Sequence, residues 1–502
     1  MAAQSSPPPQ RGLAGQPRKV NPVSVRRRAL CVRALFIAGA VSGIAACTMV
    51  GPDYVRPAFD SPARYKEANP APTLGAAIAP DDGKWWQIYR DPTLDTLVQQ
   101  VSASNQSLAA ADARVREARQ LSLIASSALA PSVGAGSFRS GRKNGIDFGL
   151  MVSWELDLWG RIRRDIEAHK ASAQASADDL AAATLSMQAQ VVQSYFAVRE
   201  TDAVIDLLQQ ALDVDDQWAR MVRNQSTQGI ASAADVAAAL ARQSVVQLQL
   251  ANAKTSRAQF EHALAVMTGK PPADFAIAPA PFQIDVPVIP AGLPATLLHR
   301  RPDVAASERR MAAASARVGV SKAETLPTVN LAAGLGVLKG PRATVDLHAP
   351  LYTNGRLQAQ VGQAWAAYAE SVANYRQTVL DAFREVEDNL VAADNLASTS
   401  GSQSMAASAA RKSERVTRNQ YQKGVADYPA IVEAQSASLD TGRAELQLRL
   451  ERLNTSVNLV KALGGGWHAD AEPDTHVEEA MVRQSPVAQP VVGEVAPASC
   501  RP

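Results

Sequence analysis

Apolar positions along this chain follow two different periods. From Arg161 to Gln228, Ile162, Ile166, Ala173, Ala177, Leu180, Met187, Val191, Tyr195, Val198, Ile205, Leu208 and Leu212 recur at steps of three, four or seven. That spacing makes a coiled-coil-like seam on one helix face. Neither Pro nor Gly interrupts these 68 residues. At 1.5 Å per residue the segment predicts a helical rod roughly 100 Å long. A second stretch of 68 residues, Arg356 to Lys423, repeats the pattern and contains Gly362 and Gly401 as candidate bends. Gly229 and Gly424 stand where a helix stop is expected. A further helical pattern then runs back to Met267 in one case and to Leu463 in the other. Each half of the chain therefore predicts a long helical hairpin. Shorter helical stretches, Asp95 to Ser127 and Asp303 to Leu326, precede the rods.

Between each short helix and its rod the period changes to two. In "GIDFGLMVSWELDLWG", Phe148, Leu150, Val152 and Trp154 fall on one face, and Gly149, Met151, Ser153 and Glu155 on the other. Val345, Leu347, Ala349 and Leu351 alternate with Thr344, Asp346, His348 and Pro350 in the second half. The runs before them, Pro131 to Arg139 and Pro327 to Leu338, can pair with these strands through turns at Ser140–Asn144 and Lys339–Arg342. Strands of nine to twelve residues suit a tilted crossing of a bilayer, and also suit two soluble hairpins. In lipid, Phe148, Leu150, Val152 and Trp154 would face the acyl chains. A membrane sheet has to close, because open edges leave backbone groups unpaired. Four strands are too few for a barrel, so insertion predicts an oligomer, with three chains the natural number.

The halves are copies of one another. "RNQSTQG" (Arg223 to Gly229) and "RNQYQKG" (Arg418 to Gly424) agree at four of seven positions, at an offset of 195. The same offset carries Gly160-Arg161 onto Gly355-Arg356 and Gly269 onto Gly464. A unit this long is no solenoid repeat. It is a whole structural layer used twice.

Composition changes the picture mainly at the N-terminus. Residues 1–46 hold seven Lys/Arg and no acidic residue, so of 51 basic residues 44 remain against 48 acidic ones. The overall charge of +3 thus belongs to the leader, and no basic body argues for nucleic acid. Arg26-Arg27-Arg28 and Arg33 precede an apolar, small-residue run ending in "IAAC". That run has signal-peptide length and is too short for a membrane helix. Small residues before Cys47 read as a lipobox, which would place diacylglycerol and an N-acyl chain on Cys47. An ordinary signal peptide that happens to contain Cys is the alternative. Only Cys31 and Cys500 accompany Cys47, so a disulfide framework is not expected.

Catalytic chemistry has no foothold. The six histidines have no metal-ligand spacing, "GLGVLKGPR" lacks the Gly-Lys-Ser/Thr of a phosphate loop, and "TGKP" places Pro at the hydroxyl position. No enzyme, metal or cofactor is expected beyond the lipid on Cys47.

Several stretches together resemble the outer membrane efflux proteins, the TolC-like exit ducts, and within them the NodT-like lipoprotein branch serving resistance–nodulation–division type pumps. They are "CTMVGPDYVRP" from Cys47, "KWWQIYRDPTLDTLV" from Lys84, "SWELDLWGRIRR" from Ser153, "LLHRRPDVAASE" from Leu297, "YQKGVADY" from Tyr421 and "VKALGGGW" from Val460. The resemblance implies a mainly α fold with membrane β: a homotrimeric twelve-stranded barrel in the outer membrane, continued by a long helical tunnel through the periplasm. It divides the chain into a signal peptide with an extended n-region (1–46), a lipidated segment (47–94), a first repeat (95–269, hairpin 131–156), a Pro-rich linker (270–294), a second repeat (295–466, hairpin 327–352) and a disordered tail (467–502). It implies passive export of small toxic compounds or drugs, with a periplasmic adaptor and an inner-membrane pump as partners. Arg223 and Arg418 precede the hairpin turns, while Asp235, Asp427 and Glu433 follow them. Arg–carboxylate pairs among these residues, with a hydrogen bond from Tyr421, are the expected periplasmic gate. Gly229-Ile230-Ala231 and Gly424-Val425-Ala426 are the expected adaptor contacts. Pro429 follows Tyr428 where relatives usually carry Leu, so a constriction formed by that Leu is not carried over. The same duct serving type I protein secretion remains open, as do a periplasmic coiled-coil adaptor and a structural lipoprotein rod.

Overall fold

The long apolar seams fold as the spacing requires. In the computed structural model, which describes residues 49–59, 61–67, 83–140, 145–290, 294–336 and 340–467, the helices are α1 (Pro92–Ser104), α2 (Gln106–Ser127), α3 (Arg161–Thr227), α4 (Ala233–Met267), α5 (Pro294–Arg300), α6 (Pro302–Ala323), α7 (Arg356–Gln422) and α8 (Tyr428–Ala462). The strands are β1 (Ser132–Ser140), β2 (Gly145–Leu156), β3 (Thr328–Gly336) and β4 (Gly340–His348). The leader, Cys47 and the tail beyond Trp467 lie outside the described residues.

Both rods, α3 and α7, are 67 residues long, ending one residue earlier than the pattern suggested. Their apolar seams behave differently. Helix α3 packs against α2, α4, α6 and α8 and buries 23 residues, whereas α7 packs mainly on α6 and α8 and buries only six. Helix α3 is central and α7 is an edge. Gly362 and Gly401 lie inside α7, which continues through both.

All four strands form one antiparallel sheet in the order β1-β2-β3-β4, which joins the two repeats directly through β2 and β3. Register keeps the alternating faces aligned. Val133, Val152 and Ala333 form one row, and Trp154, Leu331 and Val345 another. On the opposite face Glu155, Asn330 and Asp346 align, as do Ser132, Ser153, Ala332 and Thr344.

Three expectations are corrected. The stretch Asp95 to Ser127 is two helices, broken at Asn105, whose side chain caps α2 by accepting from Ser107 N and Leu108 N. Strand β4 starts at Gly340, so Gly340–Arg342 pair with β3 instead of forming a turn. It stops at His348, leaving Ala349 and Leu351 outside the sheet, with Leu351 94% exposed. Residues 141–144, within the expected first turn, lie outside the described residues.

The duplication extends to single side chains. Asn105 and Arg301 each sit at a break between two short helices, before α2 and before α6. Asn105 Nδ2 donates to Met267 O (2.8 Å), and Arg301 Nη1 to Ala462 O (3.2 Å). Each donor thus satisfies a carbonyl in the last turn of the returning helix, where no intrahelical partner exists. Arg301 is buried, and its pKa is raised by Asp303 and Glu385 against the opposing effect of burial.

Halfway along the bundle the linker is bound into the core. Arg199 Nη1 donates to Ala278 O (2.7 Å), Arg257 Nη2 to Ile277 O (2.6 Å), and Ile277 N to Glu261 Oε1 (2.7 Å). Phe282 and Ile284 then join the main cluster with Trp85, Tyr89, Tyr195, Phe196 and Leu453. A Pro-rich segment with few partners of its own is held by side chains from α3 and α4.

Candidate functional site

Two regions carry the expected function: the junction of sheet and rods, and the far ends of the hairpins. At the junction, "SWELDLWGRIRR" makes an abrupt strand-to-helix transition. The Asp157 carboxylate accepts from Ile162 N (3.0 Å) and Arg163 N (3.1 Å), two of the orphan donors at the start of α3. Arg161 binds Glu155 in a two-point contact at 3.0 and 2.8 Å, fixing the end of β2. Trp159 Nε1 donates to Pro327 O (2.6 Å), tying this junction to the start of β3.

The N-terminal segment is pinned at the same level. Val50 N donates to Trp159 O (3.0 Å). Arg164, buried, bonds Asp53 Oδ1 (2.6 Å) and Glu167 Oε2 (2.7 Å). From there the segment follows α6 and α7: Tyr54 donates to Glu308 (2.5 Å), and Lys66 N and Glu67 N donate to the Glu387 carboxylate. Val50, three residues after Cys47 in the sequence, therefore lies at the junction of sheet and rods.

Among the described residues, nothing covers the apolar face of the sheet. Phe148 is 66% exposed, Leu150 52%, and Val345 and Leu347 are exposed as well. Trp154 donates its indole N–H to Leu129 O (3.0 Å), leaving its ring partly exposed. Val152 lies between Val133 and Ala333. No described helix is long and apolar enough to cross a membrane.

At the hairpin ends the repeated heptapeptides make the same stop. Gly229 and Gly424 adopt left-handed φ of 75° and 72°. Ile230 N donates to Gln225 O (2.8 Å) and Gly229 N to Ser226 O (3.0 Å), while Val425 N donates to Gln420 O (2.9 Å) and Gly424 N to Tyr421 O (2.8 Å). These are Schellman caps. Ile230 and Val425 project from the tips, 71% and 75% exposed, flanked by Ala231 and Ala426.

The polar residues near the tips are not equivalent. Asp235 forms a capping box with Ser232 at the start of α4. Asp427 caps α8, accepting from Ala430 N (3.2 Å). Arg418 pairs with Glu414 on its own helix. Tyr421 donates to Gln225 Oε1 (2.8 Å), so the Gln of one heptapeptide receives the Tyr of the other. Arg223 and Glu433 are exposed, with no hydrogen bond or ion pair to another side chain among the described residues. Behind the tips, Tyr421 packs edge to face against Trp218 and Tyr428, which are tilted against each other, with centroids 5.3 to 6.4 Å apart. Burial pushes Tyr428 up to about 12. Gln225 belongs to the repeated heptapeptide, but Trp218 carried no pattern that marked it in the sequence, because its partner comes from the other repeat.

Comparison with known proteins decides the family. The outer membrane efflux protein family model matches residues 97–270 and 293–465, one match per repeat. The chain belongs to the outer membrane efflux protein family. It is 31% identical over 472 residues to the pyoverdine export outer membrane protein OpmQ of Pseudomonas aeruginosa, covering 86% of this chain and 98% of that protein. Its fold matches the outer-membrane channel OprN with a TM-score of 0.75 at 26% identity, covering 83% of this chain and 99% of OprN. The open state of the MtrE outer membrane channel of Neisseria gonorrhoeae matches with a TM-score of 0.73 at 26% identity, covering 85% and 100%. This member of the family is an outer membrane efflux channel. The two matched segments follow the duplication, with the bound linker between them.

Proposed function

We propose that three copies of this chain close a twelve-stranded barrel in the outer membrane and a helical duct beneath it, through which an inner-membrane pump and a periplasmic adaptor export small toxic compounds. The observation that carries this reading is the unfinished edge of the protomer. Strands β1 and β4 each have one neighbour, and the edge helix α7 leaves Trp365, Leu380, Val391, Met405 and Val416 exposed. An open edge is not tolerated in lipid, and an unpartnered apolar helix face of this length points to another protein surface. A second copy supplies both at once, since the α2 and α4 side of the next protomer also exposes Leu123, Ile124, Val245 and Leu248.

The duct supplies no chemistry, so transport is driven by the pump. Its relative OpmQ serves pyoverdine export, which supports small molecules over polypeptides as cargo. The exposed Ile230 and Val425, with Gly229, Ala231, Gly424 and Ala426, offer the adaptor two apolar knobs per chain. Because Asp235 and Asp427 are occupied as caps and Arg418 by Glu414, Arg223 and Glu433 are the residues left to pair between neighbouring tips. Such exposed pairs contribute about 0–1 kcal/mol each. Cys47, next to the pinned segment at the sheet junction, is proposed as the acylated anchor. Labelled palmitate is expected in the wild type and absent from Cys47→Ser; equal labelling removes the anchor.

Purified protein in planar bilayers tests the duct itself. Discrete ohmic current steps are expected. Protein that inserts stably and never conducts contradicts a duct.

A further inference from the structure

The N-terminal segment reaches further than its anchorage at the sheet junction. Tyr54 holds it on α6 through Glu308. Beyond that point it crosses to the edge helix α7, where Phe59 packs on Phe383 with ring centroids 6.0 Å apart. Tyr65 then enters the fold and is 2% exposed. Its cluster joins residues of α5, α6 and α8 to Tyr375, Val379, Ala382 and Val386 of α7. One turn past Phe383, the Glu387 carboxylate accepts from Lys66 N (2.7 Å) and Glu67 N (3.0 Å).

These contacts weigh heavily because α7 has so few others of their kind. Its six buried residues are Leu357, Tyr375, Val379, Ala382, Val386 and Ala407. Four of the six belong to the cluster that Tyr65 completes. The remaining two stand alone, one in the first turn and one far down the rod. The apolar seat of α7 on its own protomer is thus built in large part by a segment that comes from outside both repeats.

We propose that the N-terminal segment is an assembly clamp: by seating Tyr65 in its cluster and the Lys66 and Glu67 amides on Glu387, it sets the position of α7 on which a second copy of this chain docks. This rests on the trimeric reading above. With the segment unseated, Val379, Ala382 and Val386 lose their aromatic cover, and α7 is free to lean and turn. Docking onto it then carries the entropy of ordering it. With the segment seated, the helix is already ordered and association is favoured. The Tyr65 hydroxyl has no hydrogen-bond partner among the described residues, so the clamp acts through the ring. Glu387 is the second hold, through two charge-assisted hydrogen bonds.

The test is the ratio of trimer to monomer in purified, unheated full-length protein, read by native mass spectrometry. Tyr65→Ala opens a cavity beneath α7, and a fall on the order of tenfold is expected. Tyr65→Phe removes only an unpartnered hydroxyl and is expected to stay within about twofold of wild type. Glu387→Ala deletes the acceptor of two backbone amides and is expected to give a fall of about threefold. Hydrogen exchange separates a clamp from general destabilisation. The reference is the unassembled double variant Val391→Glu/Met405→Glu, which charges the exposed face of α7 and leaves the segment intact. Adding Tyr65→Ala to it is expected to speed exchange over residues 372–390 while α3 keeps its protection. Wild-type ratios in both Tyr65→Ala and Glu387→Ala overturn the clamp, and so does an exchange increase shared equally by α3 and α7. If Tyr65→Ala does not fold, Glu387→Ala decides by the same two measurements. A wild type that forms no trimer refutes the trimeric reading, and the clamp with it.

Discussion

Gly464 and Gly229 both end a long helix with positive φ, yet they are not interchangeable as sites for a side chain. A Cβ on Gly464 would lie 1.9 Å from Arg300 O, and on the equivalent Gly269 2.4 Å from Ser104 O. On Gly229 it would meet nothing within 4 Å. Gly229→Ala therefore carries only the left-handed backbone strain, about 1–2 kcal/mol. Gly464→Ala adds a backbone collision beside the Arg301 contact to Ala462, and about 3 kcal/mol or more is expected. Thermal unfolding followed by far-UV circular dichroism separates them; equal melting temperatures for the two variants contradict this packing. The sequence showed all these glycines at a common offset. It did not show which were stops in open space and which were close approaches, because Ser104 and Arg300 lie far from them along the chain.

At the scale of elements, the periods of 3.6 and two were sufficient to place the rods and strands within a few residues. What they missed was set by contacts across the fold. Asn105 breaks a stretch that contains no Pro or Gly, because its side chain caps α2 and reaches Met267. The tip residues Arg418, Asp235 and Asp427 were legible as charges near turns, but local capping and pairing claim them first. Trp218 became visible only when the two repeats met, and the partner of Gln225, Tyr421, only then as well. The alternating face of β2 makes a sharper claim. Val152 sits in an apolar row, whereas Ser153 faces the other way and shares a 2.7 Å hydrogen bond with Ser132. Arg at position 152 is expected to cost roughly 2–4 kcal/mol near the bilayer midplane, and Arg at 153 about 1 kcal/mol, the loss of that bond. Heat-modifiable migration on gels reports the folded fraction. If Val152→Arg and Ser153→Arg leave it equally intact, the assigned lipid face is wrong.

For the whole molecule, duplication and asymmetry work together. The repeats build one sheet and two hairpins, but they bury their rods unequally: α3 is enclosed, and α7 is left open. A self-sufficient monomer has no use for a 67-residue helix with six buried residues, or for a four-stranded sheet with two free edges. Both features fit the proposed trimer, in which threefold closure would supply twelve strands without leaving an edge. The most direct test is native mass spectrometry of the unheated, detergent-solubilised protein. The account predicts a single assembly of three mature chains that falls to one chain on heating. A stable folded monomer or dimer, with no trimer at any concentration, contradicts it.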